Sequence, residues 1–191
     1  MPRLIGERIM LREYKKEDLH SIRKWVNDDE ITRFLSDNFV YPHTLNDTEK
    51  FLNSMLESTT NARGFIIAKK DTEEYIGQID LIKIDWVNRI GTLGIVIGNK
   101  EYLSKGYGTE AIKLLEHFAF NNLNLHKLEL EVRDFNDRAI HCYKKCGFKE
   151  EGRMRENFYS DGKYTDTLYM GILKREFEEL LSLRNIDSSH T

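Results

Sequence analysis

Between Leu93 and Phe120 the chain passes from an apolar run, LGIVI, through a polar stretch, to two closely spaced glycines, Gly106 and Gly108, and then into a strongly helical segment, TEAIKLLEHFAF. A helix that starts on glycines has an unusual first turn. Its N–H groups lack intrahelical partners and carry roughly half a positive charge, which favours a bound anion such as phosphate. Glycine there lets a ligand approach the backbone closely. Lys105, beside Gly106, adds a cation. The feature points to a strand, a loop and a helix arranged around a diphosphate.

The hydrophobic period on either side supports a mixed α+β chain. RIMLRE (8–13) alternates as a strand, and the spacing of Leu19, Ile22, Trp25 and Val26 predicts a helix from Asp18 to about Asn27. A short amphipathic piece, ITRFL, follows. Pro42 then breaks the chain, and Thr44 or Asn46 can cap a helix that buries Phe51, Leu52, Met55 and Leu56. From Arg63 the period becomes two: GFIIAKK, EEYIGQIDLIKIDWV and RIGTLGIVIG read as three consecutive antiparallel strands. After the helix at 106–122 comes a strand, HKLELEVR (126–133). NDRAIHCYKKCGF is then a helix ending at Gly147, and a last hairpin turns at Asp161-Gly162. One domain over 1–184 and a loose tail over 185–191 are expected.

Composition narrows the function. With 29 Lys and Arg against 32 Asp and Glu, the net charge is −3, and the cations are scattered, so a nucleic-acid surface is not expected. No run approaches the ~20 apolar residues that span a bilayer, and the N-terminus has no signal-peptide pattern. A cytoplasmic location without membrane contact is expected. Cys142 and Cys146, four apart on a helix, lack a spaced partner set for zinc, so no metal is expected.

Which diphosphate is the next question. GYGTEA fits G-x-G-x-x-A, and Glu129 or Glu131 follows at about the dinucleotide spacing. Two features oppose that assignment. Residues 99–105 form a polar seven-residue stretch where the dinucleotide motif needs a tight turn. Downstream come one strand, one helix and a hairpin rather than a further alternating series. The G-x-x-x-x-G-K-[ST] phosphate loop is absent.

The combination K-G-Y-G-T-E-A (105–111) with N-D-R-A-I-x-x-Y-x-K-x-G-F (136–148), at this spacing, resembles the GNAT superfamily of acyl-CoA-dependent N-acyltransferases. The branch of ribosomal-protein N-terminal and spermidine acetyltransferases is the nearer likeness, and it covers essentially the whole chain. The resemblance implies a three-layer α/β/α fold with a mixed, mostly antiparallel sheet of six to seven strands and about four helices. It implies acetyl-CoA as co-substrate, with Leu103, Ser104, Lys105, Gly106, Tyr107, Gly108 and Thr109 around the pyrophosphate. Gly94, Ile95, Val96 and Ile97 would pair with the pantetheine arm, and Asn136 would help seat it. Arg138 would approach the phosphates, the alternative being an exposed helix charge. Tyr143 matches the tyrosine near the thioester sulfur. The general motif has Gln or Arg where Leu103 stands, and this branch often has glycine where Ser104 stands. Donors from the main chain make the departure at Leu103 tolerable.

Acyl transfer to an amine needs a neutral amine, a stabilised oxyanion and a proton for the leaving thiolate. A strand N–H near Ile95–Ile97 suits the second need. A phenol, with a pKa of about 10, suits the third, so Tyr143 is expected to be the general acid. The base is not evident. Relatives carry a glutamate on the strand at Ile90–Leu93, where this chain has none, and Asp80, Asp85 or Glu129 through water, or bulk solvent, remain alternatives. No nucleophile with a partner His appears, which favours direct transfer. Substrate residues in such a fold come from the first helices and the last hairpin: Trp25, Asp28, Asp29, Glu30, Phe34 and Tyr159. Carboxylates and rings suit a cationic amine, a polyamine or peptide N-terminus. An amino-sugar or antibiotic acetyltransferase, and an acyl-CoA-binding regulator without turnover, remain alternatives. The edge of the last hairpin is compatible with a homodimer.

Overall fold

The change of period at Arg63 marks where the chain stops building a helical cover and starts building a sheet. In the computed structural model, which describes residues 3–57 and 62–188, the order is β1 (Leu4–Ile5), β2 (Ile9–Arg12), α1 (Asp18–Trp25), α2 (Asp29–Thr32), α3 (Leu45–Leu56), β3 (Arg63–Lys69), β4 (Tyr75–Asp85) and β5 (Ile90–Ile97). Then follow α4 (Tyr107–His117), β6 (Lys127–Arg133), α5 (Asp137–Cys146), β7 (Lys149–Ser160), β8 (Lys163–Leu173) and α6 (Lys174–Ser188). The strands form one sheet in the order β1-β2-β3-β4-β5-β6-β8-β7.

Among the described residues there are thus eight strands and six helices, somewhat more than the six to seven strands and about four helices expected. The extra strand, β1, is two residues long and too short for a periodic signal. Helix α6 was missed because it follows β8 without an intervening turn. Its start is set by Glu176, whose carboxylate accepts from the Leu173 N–H at 3.0 Å.

Contacts divide the chain into two compact units, residues 1–84 with 93–115 and residues 85–92 with 116–191. In the first, α1 and α3 bury Ile22, Trp25 and Leu52 against Met10 of β2 and Ile66 and Ala68 of β3. Helix α3 starts on the capping box Thr44–Asp47, each side chain holding the other residue's backbone N–H. In the second, β6 alternates, burying Leu128, Leu130 and Val132. Phe177 of α6 packs edge-on against His117 and tilted against Phe120, at 4.9 and 5.0 Å between ring centres. Helix α5 closes at Gly147 with φ 101°, a left-handed cap that admits no side chain, since a Cβ would lie 2.4 Å from Leu180. Asp161 and Gly162, at φ 50° and 79°, make the two-residue β7–β8 turn that the sequence predicts.

The parallel ladder between β5 and β6 joins Ile90–Thr92 to Lys127–Glu129. The other ladders that flank β3 and β8 are antiparallel. No helix among the described residues is long and apolar enough to cross a membrane.

Candidate active site

In the first unit, β5 runs on from Thr92 as Leu93–Ile97. This stretch lies past the residues that the β6 ladder joins, and its Ile95, Val96 and Ile97 are half-buried. Beyond β5, Asn99 accepts from the Glu101 N–H at 3.1 Å and opens a short 3-10 turn at Lys100–Tyr102. The chain then enters Leu103–Gly106. Ser104 sits at φ 58° and Gly106 at φ 84°, so the loop is left-handed twice within three residues. This accounts for a glycine preference at both places: only Gly106 meets it, and Ser104 adopts the conformation at a steric cost of about 1 kcal/mol. Ser104, Lys105 and Gly106 are exposed, and Tyr107, Gly108 and Thr109 of the first turn of α4 are half-buried.

Arg8 fixes this loop, a role that nothing in the sequence signals because the partners lie about a hundred residues apart. Its guanidinium donates to the Lys105 carbonyl at 2.9 Å and to the Glu110 carboxylate at 2.9 Å, and lies 4.6 Å from the centre of the Tyr107 ring. Glu110 accepts in addition from the Arg8 N–H at 2.8 Å, which ties α4 to the start of β2.

The expected acceptor-side residues of this unit have distinct surroundings. Asp28 caps α2 by accepting from the Glu30 N–H at 3.1 Å. Asp28 and Glu30 also hold one ammonium between them, the Lys100 Nζ, at 2.7 and 2.9 Å. Asp29 is exposed and Phe34 half-buried, with the Arg33 guanidinium 5.7 Å from its ring centre. Trp25 packs in the core; its indole covers Gly98, where a Cβ would meet it at 2.3 Å, and its Nε1 donates to the Tyr75 hydroxyl at 2.9 Å.

That last bond begins a polar string along the face of β4 turned toward α1 and α3. Tyr75 donates to the Gln78 amide oxygen at 3.4 Å, and the Gln78 side chain bonds Asp80. Tyr14 donates to Asp80 Oδ1 at 2.8 Å. Burial pushes the Asp80 carboxyl up to about 7, against the opposing pull of the Tyr14 and Gln78 hydrogen bonds. The residue nonetheless keeps a partly open surface.

In the second unit, Asn136 is the N-cap of α5, its side chain accepting from the Ala139 N–H at 3.3 Å. Arg138 is exposed on the first turn. Tyr143 is 7% exposed, 6.0 Å between ring centres from Phe148, and burial raises its phenol well above the ordinary value. Tyr159 is 61% exposed at the tip of the β7–β8 hairpin, packed edge-on to Tyr164 at 5.0 Å. The structure thus ties Asp28 and Glu30 through Lys100 to the turn that precedes the loop, and brings Trp25 to Gly98 just past β5. Asn136 and Tyr143 share α5, while Tyr159 stands on the hairpin.

Residues 8–149 match the family described as Acetyltransferase (GNAT) domain. The spermidine N(1)-acetyltransferase of Vibrio cholerae is 29% identical over 174 residues, 91% of this chain and 97% of that protein. The spermidine N(1)-acetyltransferase of Escherichia coli is 31% identical over 173 residues, 88% of each. A crystal structure of the Vibrio cholerae spermidine N-acetyltransferase, in complex with CoA and spermine, superposes with a TM-score of 0.79 at 28% identity, covering 89% of this chain and 98% of that one. The chain belongs to the GNAT family and is an N-acetyltransferase.

Proposed function

We propose that the protein moves an acetyl group from acetyl-CoA directly to the primary amine of a polyamine or, as a second class, of a peptide N-terminus. The observation that carries this reading is the sequence of a half-buried apolar run, Ile95–Ile97, past the end of the β5–β6 ladder, and the twice left-handed loop ahead of α4. A strand with accessible backbone suits an amide-bearing arm, and a helix start with exposed amides suits a diphosphate. Leu103 through Thr109 would hold the pyrophosphate and Gly94–Ile97 the pantetheine. Acetyl-CoA supplies the acetyl group already activated as a thioester.

Lys100 supports the cationic acceptor: Asp28 and Glu30 already hold a primary ammonium of the protein's own. The names of the relatives point to the same class. Tyr143 is the residue we assign as acid. Its burial keeps the phenol protonated at neutral pH, and the hydroxyl would give its proton to the departing sulfur. Asn136, capping α5, holds that helix's first turn.

The test is thiol release from acetyl-CoA against spermidine, peptides with varied N-termini, an aminoglycoside and a nucleotide amino sugar. Release with spermidine or a peptide is the expected result. Release only with a sugar, or with none, overturns the acceptor class. In the same assay Tyr143→Phe should lower kcat by about 10²-fold or more while leaving the affinity for CoA, read by calorimetry, unchanged. Equal losses in kcat and CoA affinity would mean that the phenol serves packing instead.

A further inference from the structure

Resting on that reading, we propose that Asp80 is the carboxylate that takes the proton from the incoming ammonium, positioned by Tyr14. The strand at Ile90–Leu93 has no carboxylate, and the three candidates elsewhere differ in what already occupies their oxygens. Asp85 is used by the β4–β5 turn: Oδ1 accepts from the Val87 and Asn88 N–H groups at 3.0 and 2.9 Å, and Oδ2 from the Asn88 amide at 2.8 Å. Glu129 lies 3.5 Å from the Lys127 ammonium. Asp80 alone is bonded only by neutral groups, a phenol and an amide.

Its surroundings are built for the carboxyl. Gly64 lies opposite it in the β3–β4 ladder, and a Cβ there would fall 1.7 Å from Asp80 Oδ1. The missing side chain is the space that the carboxyl occupies. Helix α3 closes the niche with Met55, and with Phe51, whose ring stands edge-on to Tyr14 at 6.2 Å. The titratable groups facing it are Tyr14 and Tyr75, both held protonated by burial, with the Arg12–Asp18 ion pair beyond them acting on Tyr75. A carboxyl raised into the neutral range is matched to general-base work, and this one sits in the same unit as the Asp28–Glu30 pair that holds an ammonium.

The proton account closes. The acceptor R–NH3+ gives one proton to the Asp80 carboxylate, which becomes a carboxylic acid, and the freed lone pair forms the N–C bond as the C–S bond breaks. The electron pair of that bond leaves on sulfur, which takes up one proton, and the nitrogen sheds its second proton as the amide forms. Asp80 returns its proton to water through its open edge.

The experiment follows thiol release with spermidine from pH 5.5 to 9.5 in the wild type, Asp80→Asn and Tyr14→Phe, with infrared titration of the carboxyl band in each protein without ligand. Asp80→Asn retains an acceptor for the Tyr14 hydroxyl. It should lower kcat/KM by about 10²-fold or more and abolish the acidic limb near pH 7, while CoA affinity holds. The carboxyl band titrating near neutrality should be missing from it. Tyr14→Phe, which keeps the ring against Phe51, should move both the limb and the band to higher pH. Wild-type turnover with an unchanged profile in Asp80→Asn overturns this inference and leaves the transferase reading standing. A carboxyl that titrates below pH 5 does the same. A wild type silent with every amine overturns both.

Discussion

Asp18 and Asp80 are two carboxylates tucked into the same unit, and they are held in opposite ways. Asp18, 4% exposed, is gripped by both terminal nitrogens of Arg12, at 2.7 and 3.0 Å, and by the Lys15 N–H at 2.8 Å. Every bond it accepts is charge-assisted or fixed by backbone, so its charge is cancelled by the fold itself. Asp80 accepts from a phenol and an amide, and no guanidinium or ammonium faces it among the described residues. A fold that can supply a cation six residues away at Asp18 and none at Asp80 has left one carboxylate for something that arrives from outside. The first kind of site holds structure; the second keeps a proton exchangeable.

The strongest way to break the comparison is to remove the cation from the first site. Arg12→Ala leaves Asp18 buried and unpaired, as Asp80 is, but without the phenol. Breaking a buried pair on one side costs about 3–5 kcal/mol. Urea unfolding at pH 7 should show that loss. The double variant Arg12→Met with Asp18→Leu, which removes both charges, should recover most of it. If Arg12→Ala costs under about 1 kcal/mol, Asp18 is not held by charge and the contrast falls.

An effect of comparable size and opposite sign belongs to the second site. A carboxyl held near 7 in the folded protein, against about 3.9 when unfolded, binds its proton more tightly folded. Its contribution to stability is therefore fully present below about pH 4 and is lost as pH rises through 7. Asp80→Asn carries no such charge. It should match the wild type near pH 4 and exceed it at pH 8 by up to about 4 kcal/mol, read from thermal unfolding across that range. A variant that gains stability while losing turnover is the expected signature of a group kept for chemistry. A variant less stable than the wild type at pH 8 would make Asp80 a structural partner of Tyr14.

How legible these sites were in the sequence follows from the same distinction. The glycine loop and α5 could be read because their residues are neighbours in the chain: Gly106 and Gly147 both take the left-handed conformations that glycine advertises. Asp80 could not. In QIDLI it alternates with Ile79 and Leu81 and reads as the solvated face of a half-buried strand. That face is instead covered by α1 and α3, where Tyr75 donates to Gln78 and Tyr14 donates to Asp80. Arg8 and Lys100 were illegible for a related reason, since a lone cation gives no sign of a partner a hundred or seventy residues away. Trp25 was legible as helical but not as core, because an aromatic near an acidic helix end fits either setting.

The finest division between the two carboxylates comes from Tyr14→Phe. The ring stays, so the contact with Phe51 at α3 is kept, and only the hydroxyl is lost. A hydrogen bond to a charged acceptor contributes about 1.5–3 kcal/mol, and one to a neutral acceptor about 1. At pH 8 Asp80 is largely ionised and the loss should approach the larger figure. At pH 5 the carboxyl is protonated and the loss should shrink to the smaller one. The difference of about 1 kcal/mol between the two pH values is thus a direct reading of the charge on Asp80, obtained without substrate. The same substitution leaves the Arg12–Asp18 pair in place, so a cost that does not vary with pH would place the burden on packing around Phe51 and remove Asp80 from the titration altogether.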